Sequence, residues 1–305
     1  MKTKYSCATL DVVSLLIVLA LCSALQAQSE YVMPTSHKSF EFIAADGITA
    51  LGLDLYQAAN HESNPVVSPQ AIVLFVHGGG FSSGSRNHPL NVLFCQRLAE
   101  SGLHVACIDY RLLQKGKGFH CDVTTSQKRE AISAAAQDIK CAASLLHSEF
   151  GYDVFLAGSS AGAHAALHAA YHQTTPEIRG VISMCGAMEP LADYPNVPLL
   201  AFHGTCDALV PYGEGMHHYC ARNQPGALLL QGSGALADCL PQVELHSYLY
   251  ANHDLANALL IDQDCAAACV NFVQRVLNGQ KISGTFLFEG SDTCKLVAPY
   301  LPCQQ

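Results

Sequence analysis

Motifs with which many proteins bind metal ions or nucleotides are missing from this sequence. No two of its 14 cysteines stand at the Cys-x-x-Cys spacing of zinc clusters, which argues against a cysteine-ligated metal. Three consecutive glycines occur at residues 78–80, but without the Gly-Lys-Ser/Thr or Gly-x-Gly-x-x-Gly pattern of phosphate-binding loops. We therefore expect neither a metal ion nor a cofactor.

Basic residues are scarce as well. The 305 residues include 16 Lys and Arg against 25 Asp and Glu, which gives a formal net charge of -9. A surface of this sign repels the phosphates of nucleic acids and of anionic membranes. The charge balance thus argues against both as partners.

Long apolar runs are limited to the N-terminus. There, two lysines precede the mostly apolar residues 12–25, and small residues lead to Ala27, a pattern typical of an export signal. No later stretch approaches the roughly 20 apolar residues that a membrane-spanning helix needs. We predict that residues 1–27 are a signal peptide and that the mature protein is exported, to the periplasm or the medium, with no membrane span. A lipid anchor at Cys22 is disfavoured because the bulky Leu21 precedes it.

All but two of the 14 cysteines follow the predicted signal. In an exported chain some of them should be oxidised, although their spacing does not reveal which pairs form. Cys107 and Cys185 fall in strand-like apolar segments, where a reduced cysteine packs as a small hydrophobic residue. We expect a mixture of free and bridged thiols, with Cys294 and Cys303 in a polar tail that a disulfide could attach to the body.

Downstream of the signal, strand-like apolar runs alternate with helical patterns. The predicted strands cover residues 40–44, 52–56, 71–76, 105–109, 154–157, 181–185, 198–203 and 243–250. The predicted helices cover residues 90–101, 127–148, 161–172 and 255–277, with a further helical region between the last two strands. Continuous apolar strands joined by helical crossovers indicate a mostly parallel sheet with helices on both faces. We predict a single α/β domain of about eight strands over residues 28–283, followed by a Cys-containing tail over residues 284–305.

The segment GSSAG at residues 158–162 joins a predicted strand to a predicted helix. Only Ser160 has a glycine two positions away on either side, and this spacing has a steric reason. A sharp strand-to-helix turn strains its central residue, and a Cβ at either glycine position would collide with the neighbouring strand or helix. The turn raises the Ser160 hydroxyl above the sheet edge, beside the N–H of Ala161 and the positive end of the helix. A plain turn of small residues is the alternative, but the flanking strand and helix favour a nucleophile.

The consecutive glycines belong to the segment HGGGF at residues 77–81, directly after a predicted strand. They let the backbone pass close to a bound ester with its N–H groups directed at the ligand, and each such donor contributes about 10²- to 10³-fold in rate. A phosphate-binding loop is the alternative, but its accompanying residues are missing. This segment therefore favours an oxyanion-binding loop.

Together, HGGGF, DYRL (109–112), GSSAG, HGTCDALVP (203–211) and a histidine after the last strand resemble the α/β-hydrolase superfamily, of the carboxylesterase and lipase type. The resemblance covers residues 40–277 and is greatest to compact exported esterases, including feruloyl- and acetyl-esterase-like proteins. It implies an α/β-hydrolase fold and a serine hydrolase without a cofactor. The implied substrate is a small-molecule or polysaccharide-linked ester.

The resemblance also assigns two partners to Ser160. The acid of the family matches Asp207, after the seventh predicted strand, and the base matches His253, after the eighth. Asp193 and Asp238 are weaker rivals for the acid. The implied mechanism has His253 remove the proton of Ser160 while Asp207 holds the imidazole, so that an acyl-enzyme forms and is hydrolysed.

The implied oxyanion hole consists of backbone N–H groups of Gly79, Gly80 and Ala161. Two nearby positions depart from the patterns of some relatives. Phe81 stands where some relatives have Trp, and Ser159 where one branch favours Asp. Neither departure concerns a reacting atom.

Other histidines offer alternatives. His246 lies inside the last predicted strand, and we expect it to pack or to face solvent rather than to act as the base. His164, His168 and His172 stand four residues apart on one predicted helix, a spacing that can place imidazoles on one face. A metal site there is possible, but no carboxylate accompanies the set, and structural roles are favoured.

The interval between Ser160 and Asp207 is filled by one predicted helix and two predicted strands, which leaves little chain for a lid. We infer an open site, suited to water-soluble esters or to side groups on larger molecules. Residues 212–234 form the largest candidate insertion near the site. They either shape the substrate pocket or form a surface loop tied by a disulfide.

A serine carboxylesterase is the leading hypothesis. An amide or formamide hydrolase uses nearly the same machinery and is the second. A catalytically silent binding protein is the third, and it is disfavoured because every reacting position is filled. The sequence does not indicate an oligomeric state.

Overall fold

The computed structural model describes residues 37–59, 67–68, 70–173 and 175–290, all of which fall within one compact unit. The predicted signal peptide at residues 1–27 and the tail cysteines Cys294 and Cys303 lie outside these ranges. None of the helices within the ranges combines the length and the apolar character that a bilayer crossing requires.

The elements alternate along the chain much as the sequence predicts. The strands are β1 (His37–Ile43), β2 (Ala50–Tyr56), β3 (Ala71–Val76), β4 (His104–Ile108), β5 (Asp153–Ser159), β6 (Ile178–Met184), β7 (Ala187–Met188), β8 (Leu199–Gly204), β9 (Glu214–Met216), β10 (Leu229–Gly232), β11 (Val243–Leu249) and β12 (Ser283–Glu289). The α-helices are α1 (Pro89–Glu100), α2 (Thr125–Phe150), α3 (Ala161–Tyr171), α4 (Ser233–Cys239), α5 (Leu255–Ala258) and α6 (Gln263–Leu277).

Nine of these strands form one sheet in the order β1-β2-β4-β3-β5-β6-β8-β11-β12. The pairs β1/β2 and β2/β4 are antiparallel, and every other neighbouring pair is parallel. The predicted mostly parallel sheet is thereby confirmed. All eight predicted strands are present, with ends shifted by only a few residues.

The ninth strand of the sheet, β12, begins at residue 283, the predicted end of the domain, and extends to Glu289. It pairs in parallel with β11, from Ser283 opposite Val243 to Glu289 opposite Leu249. The sheet therefore continues into the segment that we predict to be a tail. β12 is exposed along its whole length at the sheet edge, so it lacks the continuous apolar character that identifies the central strands.

Two predicted helical regions also differ from the structure. The region between β8 and β11 contains β9, a 3₁₀ turn at His217–Tyr219, β10 and the short helix α4. The strands β7, β10 and β9 form a separate three-stranded sheet. The single helix predicted at 255–277 is divided into α5, a 3₁₀ turn and α6. The division lies at Asp262, whose carboxylate accepts hydrogen bonds from the N–H groups of Asp264 and Cys265 at 2.7 and 3.2 Å and so begins α6.

Helices cover both faces of the sheet, as predicted. On one face, α2 and α3 pack small side chains such as Ala135 and Ala165 against the strands. On the other, α1 and α6 bury larger ones such as Phe94 and Phe272. Because apolar surface is removed from water on both faces, the central strands are apolar at nearly every position.

The described residues include both free and disulfide-bonded cysteines. Cys121 and Cys220 form a disulfide with each other. Cys206 and Cys239 are each disulfide-bonded as well. The predicted buried thiols, Cys107 and Cys185, are free and fully enclosed. Burial raises the pKa of both thiols well above the ordinary value, so they remain protonated and pack as apolar groups.

Candidate active site

Ser160 occupies the sharp turn between β5 and α3. Its backbone has φ 52° and ψ −117°, a conformation that non-glycine residues seldom adopt. The backbone is held there because the Ser160 N–H donates to the carbonyl of Met184 at 2.9 Å and its carbonyl accepts from the N–H of His164 at 3.0 Å. The strand, the turn and the helix thus fix the serine hydroxyl at the carboxyl edge of the sheet.

The two glycines around the turn are sterically required. A Cβ at Gly158 would lie 2.4 Å from the carbonyl carbon of Gly162. A Cβ at Gly162 would lie 2.1 Å from the carbonyl oxygen of Val76, at the end of β3. Both contacts involve backbone that cannot move aside, so the collision expected from the sequence is present on each side of Ser160.

The structure brings Ser160, His253 and Asp207 together from three separate loops. The Ser160 hydroxyl lies 2.8 Å from Nε2 of His253, and Nδ1 of His253 lies 2.6 Å from Oδ2 of Asp207. Because a carboxylate can only accept, the imidazole carries its hydrogen on Nδ1 and offers Nε2 to the hydroxyl as an acceptor. The arrangement can therefore move a proton from the serine to the histidine.

Asp207 is fully buried and has acceptor contacts on both oxygens. Oδ1 accepts hydrogen bonds from the backbone N–H groups of Leu209 and Val210 at 2.9 and 2.8 Å. Burial alone would raise the pKa of this carboxyl group, but the contacts with His203 and His253 outweigh it and hold the pKa below its usual range. Asp207 is thus ionised at neutral pH.

His203 is a site residue to which the sequence assigns no role. It is completely buried on β8, and its Nε2 lies 3.4 Å from Oδ2 of Asp207. Its Nδ1 lies 2.9 Å from the hydroxyl of Ser233. The signal available in the sequence is its position four residues before Asp207, which places it on the strand directly beneath that carboxylate.

The glycine loop after β3 has a backbone that favours glycine. Gly79 and Gly80 have φ of 115° and 59°, and a Cβ at Gly79 would lie 2.2 Å from the carbonyl oxygen of Ser83. Within the described residues, the N–H groups of Gly79, Gly80 and Ala161 donate to no other protein group. All three residues line the same cavity as Ser160, so these N–H groups are available to a ligand.

The DYRL segment packs against the start of the glycine loop and holds it in place. The ring of Tyr110 stacks on His77 with centroids 4.5 Å apart, and its hydroxyl donates to the carbonyl of His77 at 3.1 Å. Asp109 accepts from the backbone N–H of Arg86 at 2.8 Å and also binds its guanidinium. Two motifs that are separate in the sequence therefore form one structural unit beneath the glycines.

The cavity at the site has a volume of about 500 Å³. Residues that line it include Gly78, Phe81, His88, Phe119, His164, Leu209, His217, His218, Asp254 and Leu260. The segment 212–234 combines both roles considered for it, since it supplies His217 and His218 to the cavity and Cys220 to a disulfide.

The other histidines and aspartates that the sequence offers as alternatives lie apart from the hydrogen-bond chain of Ser160. They are His246, His168, His172, Asp193 and Asp238. The imidazole of His246 binds the carboxylate of Glu244 at 2.9 Å, away from the cavity. His168 and His172 stack on each other with centroids 4.3 Å apart. Among the described residues, neither Asp193 nor Asp238 lines the cavity, and no cluster of His, Cys, Asp and Glu has the arrangement of a metal site.

Comparisons with known proteins give matches to parts of this chain. The family model named BD-FAE matches residues 53–188. Isoprenylcysteine alpha-carbonyl methylesterase of Arabidopsis thaliana is 34% identical over 131 residues, which is 42% of this chain and 26% of that protein. A probable methylesterase of the same kind from Oryza sativa subsp. japonica is 36% identical over 115 residues, 37% of this chain and 25% of that protein. The chain thus spans about a quarter of the length of these relatives.

Solved structures are similar over more of the chain. An α/β serine hydrolase without a lid from Xanthomonas campestris has a TM-score of 0.52 and 19% identity, covering 80% of this chain and 96% of its own. Esterase 2 of Thermogutta terrifontis has a TM-score of 0.53 and 18% identity, covering 84% of this chain and 100% of its own. At these identities the similarity establishes a shared fold.

Proposed function

We propose that this chain, whose fold is shared with α/β serine hydrolases and esterases of known structure, is a serine carboxylesterase in which Ser160 is the nucleophile, His253 the base and Asp207 the acid. The observation that supports this most strongly is the unbroken hydrogen-bond chain, 2.8 Å from serine to histidine and 2.6 Å from histidine to aspartate. Such a chain activates a hydroxyl that is otherwise a weak nucleophile.

Acylation begins when Ser160 Oγ attacks the ester carbonyl carbon and its proton passes to Nε2 of His253. The imidazolium that forms is stabilised by the ionised, buried carboxylate of Asp207. His253 then donates this proton to the departing alkoxide, and the acyl group remains on Ser160. A water molecule next loses a proton to His253 and attacks the acyl carbon. The bond between that carbon and Ser160 Oγ then breaks, His253 returns the proton to Oγ, and the acid is released.

The negative charge on the carbonyl oxygen needs donors that do not rearrange during the reaction. The N–H groups of Gly79, Gly80 and Ala161 are the proposed donors, because they line the cavity and lack a partner among the described residues. The positive end of α3 adds to their effect. Removing one such donor typically lowers kcat about 10²- to 10³-fold.

The proposed substrate class rests on the small amount of chain that is left to cover the site. The described residues between Ser160 and Asp207 form α3, β6, β7 and β8, and they include no further helix that could act as a lid. We therefore propose water-soluble esters or ester groups on larger molecules, including polysaccharides, as substrates. Since the similar plant proteins are methylesterases by name, methyl esters belong among the compounds to test.

Export of the protein remains a separate proposal. It is supported by the sequence pattern of residues 1–27 and by the Cys121–Cys220 disulfide, since such bonds persist in oxidising compartments. Fractionation of the producing cell, with N-terminal sequencing of the recovered protein, tests it. A cytosolic protein that begins at Met1 would contradict it.

The function itself is tested by turnover of a panel containing short 4-nitrophenyl esters, methyl esters, feruloyl esters and formyl-anilides. Ester hydrolysis by the wild type and at least a 10³-fold loss in Ser160→Ala are expected. Formyl-anilide turnover far above ester turnover would instead favour the amide hydrolase. No turnover of any compound by folded, oxidised protein would favour a binding protein.

A further inference from the structure

A buried lysine lies behind one wall of the cavity. Lys128, on the first turns of α2, is 0% exposed, and its Nζ lies 5.5 Å from the centroid of the Phe119 ring. Its Nζ donates to the carbonyl of Gly226 at 2.8 Å, and no carboxylate among the described residues forms an ion pair with it. Burial lowers the pKa of Lys128 to about 8, so the ammonium is still charged at neutral pH. An enclosed positive charge without a negative partner is costly, which calls for an explanation.

The second neighbour of this ammonium is an imidazole of the cavity wall. Nζ of Lys128 lies 3.3 Å from Nδ1 of His217, which is 3% exposed. Because an ammonium can only donate, Nδ1 of His217 accepts, and the hydrogen of the neutral ring is on Nε2. Burial also lowers the pKa of His217, which keeps the ring neutral. His217 therefore has one N–H on the ring edge opposite Lys128, and that N–H has no acceptor among the described residues.

The two residues are held by a rigid junction between chain segments. The Cys121–Cys220 disulfide joins the segment before α2 to the segment that carries His217. The N–H of Gly226 donates to the carbonyl of Cys121 at 2.9 Å, and the N–H of Thr125 donates to the carbonyl of Pro225 at 2.9 Å. A donor fixed in this way loses little conformational entropy when it binds a ligand.

The cavity wall around this donor is rich in imidazoles and poor in carboxylates. Its histidines are His88, His164, His217, His218 and the proposed base His253, whereas Asp254 is the one carboxylate among the described lining residues. The group that best complements His217 and the charge behind it is an anionic oxygen of the substrate. Such an oxygen would supply the negative partner that Lys128 lacks.

We propose that His217, oriented and polarised by Lys128, is a specificity-determining residue that binds a carboxylate of the substrate at a distance from the ester being cleaved. This inference deepens the proposed ester hydrolysis and rests on it. The preferred substrates are then esters that carry a free carboxylate, either half-esters of dicarboxylic acids or esters of hydroxy acids. Lys128 acts as a positioning residue because it reaches the substrate only through the imidazole.

Two matched substrate pairs test the proposal on either side of the ester. On the acyl side, the 4-nitrophenyl half-ester of glutaric acid is compared with its neutral carboxamide analogue. On the alcohol side, 4-acetoxybenzoate is compared with 4-acetoxybenzamide. In at least one pair we expect the carboxylate to raise kcat/KM about tenfold, mainly through KM, because a hydrogen bond to a charged group is stronger than one to an amide.

Variants test whether the preference for a carboxylate depends on His217. His217→Phe should reduce the ratio within the preferred pair to about one, and His217→Gln, which keeps an N–H near the position of Nε2, should retain part of it. Lys128→Met should lower the ratio as well, and its thermal unfolding midpoint shows whether the protein folds. His120→Gln, an exposed imidazole on the same disulfide-linked segment and outside the cavity, is the control and should keep the ratio.

Binding to Ser160→Ala separates this proposal from the proposed function. Calorimetry should give tighter binding of the preferred carboxylate compound than of its amide, and the added His217→Phe substitution should remove the difference. If no ester is hydrolysed but this binding preference exists, the esterase proposal fails and the subsite stands. If esters are hydrolysed with equal ratios in the wild type and His217→Phe, the subsite proposal is wrong.

Discussion

Nε2 of His203 lies 3.4 Å from Oδ2 of Asp207, the same carboxylate oxygen that accepts the hydrogen bond of His253 at 2.6 Å. One buried oxygen thus has two imidazole neighbours. His203 lies on β8, and its contact with the hydroxyl of Ser233 holds its ring in place. We therefore propose that His203 is a positioning residue, because it contacts Asp207, the proposed acid, and does not line the cavity.

Replacement of His203 tests this relationship. Burial alone raises the pKa of a carboxyl group, so in His203→Phe the pKa of Asp207 should rise toward or above its usual range. Activity should then fall on the acidic side at a higher pH than in the wild type, with kcat lowered about tenfold and KM nearly unchanged. The pH dependence of kcat from about pH 4 to pH 8 gives the result, because an ordinary Asp titrates at about pH 4.

A suitable control is His246→Phe. That imidazole also binds a carboxylate, Glu244, on the adjacent strand β11, but away from the cavity. Its pH profile should match the wild type after correction for folded protein. If the two variants have the same profile, His203 has only a structural role.

The glycine after the serine turn gives a second prediction. In Gly162→Ala, the new Cβ would lie 2.1 Å from the carbonyl oxygen of Val76, and neither backbone segment can yield. The free energy of unfolding should fall by about 3 kcal/mol or more. Gly116→Ala is the control, since its Cβ would meet nothing within 4 Å and only the φ of +77° adds a cost, about 1–2 kcal/mol. Equal losses in urea unfolding would contradict the steric explanation.

Lys128 makes stability depend on pH in a defined window. Burial lowers its pKa from 10.5 to about 8. Between these values the unfolded chain holds the proton while the folded protein has released it, so this group makes stability rise as pH rises. The difference in unfolding free energy between the wild type and Lys128→Met should therefore shift in favour of the wild type from pH 8 to pH 10. A difference that is constant in urea unfolding across this range would refute the buried position of the charge.

The sequence predicts the sheet well because the central strands are apolar at nearly every position and therefore easy to recognise. β12 is missed because an exposed edge strand lacks that character. The break at Asp262 is missed because the residues around it continue the helical pattern, and only the carboxylate cap reveals the new start. Local patterns thus predict the buried elements and miss those set by exposure or capping.

The residues of the candidate site likewise divide into those that a local pattern predicts and those that it misses. Ser160 follows from its own segment, since the glycines at either side have a local steric reason. His203, Lys128 and His217 could not be predicted, because their roles depend on contacts between segments distant in the chain. The 3.3 Å contact between Lys128 and His217 joins residues 89 positions apart, and no local pattern encodes it.

The central claim is that Ser160 is an activated nucleophile. Its most direct test is reaction of the oxidised protein with a fluorophosphonate, followed by intact-mass measurement and peptide mapping. The account predicts one adduct per chain, on the peptide that contains Ser160, and none in Ser160→Ala. A folded wild type that stays unlabelled, or an adduct on another residue that persists in Ser160→Ala, would contradict it.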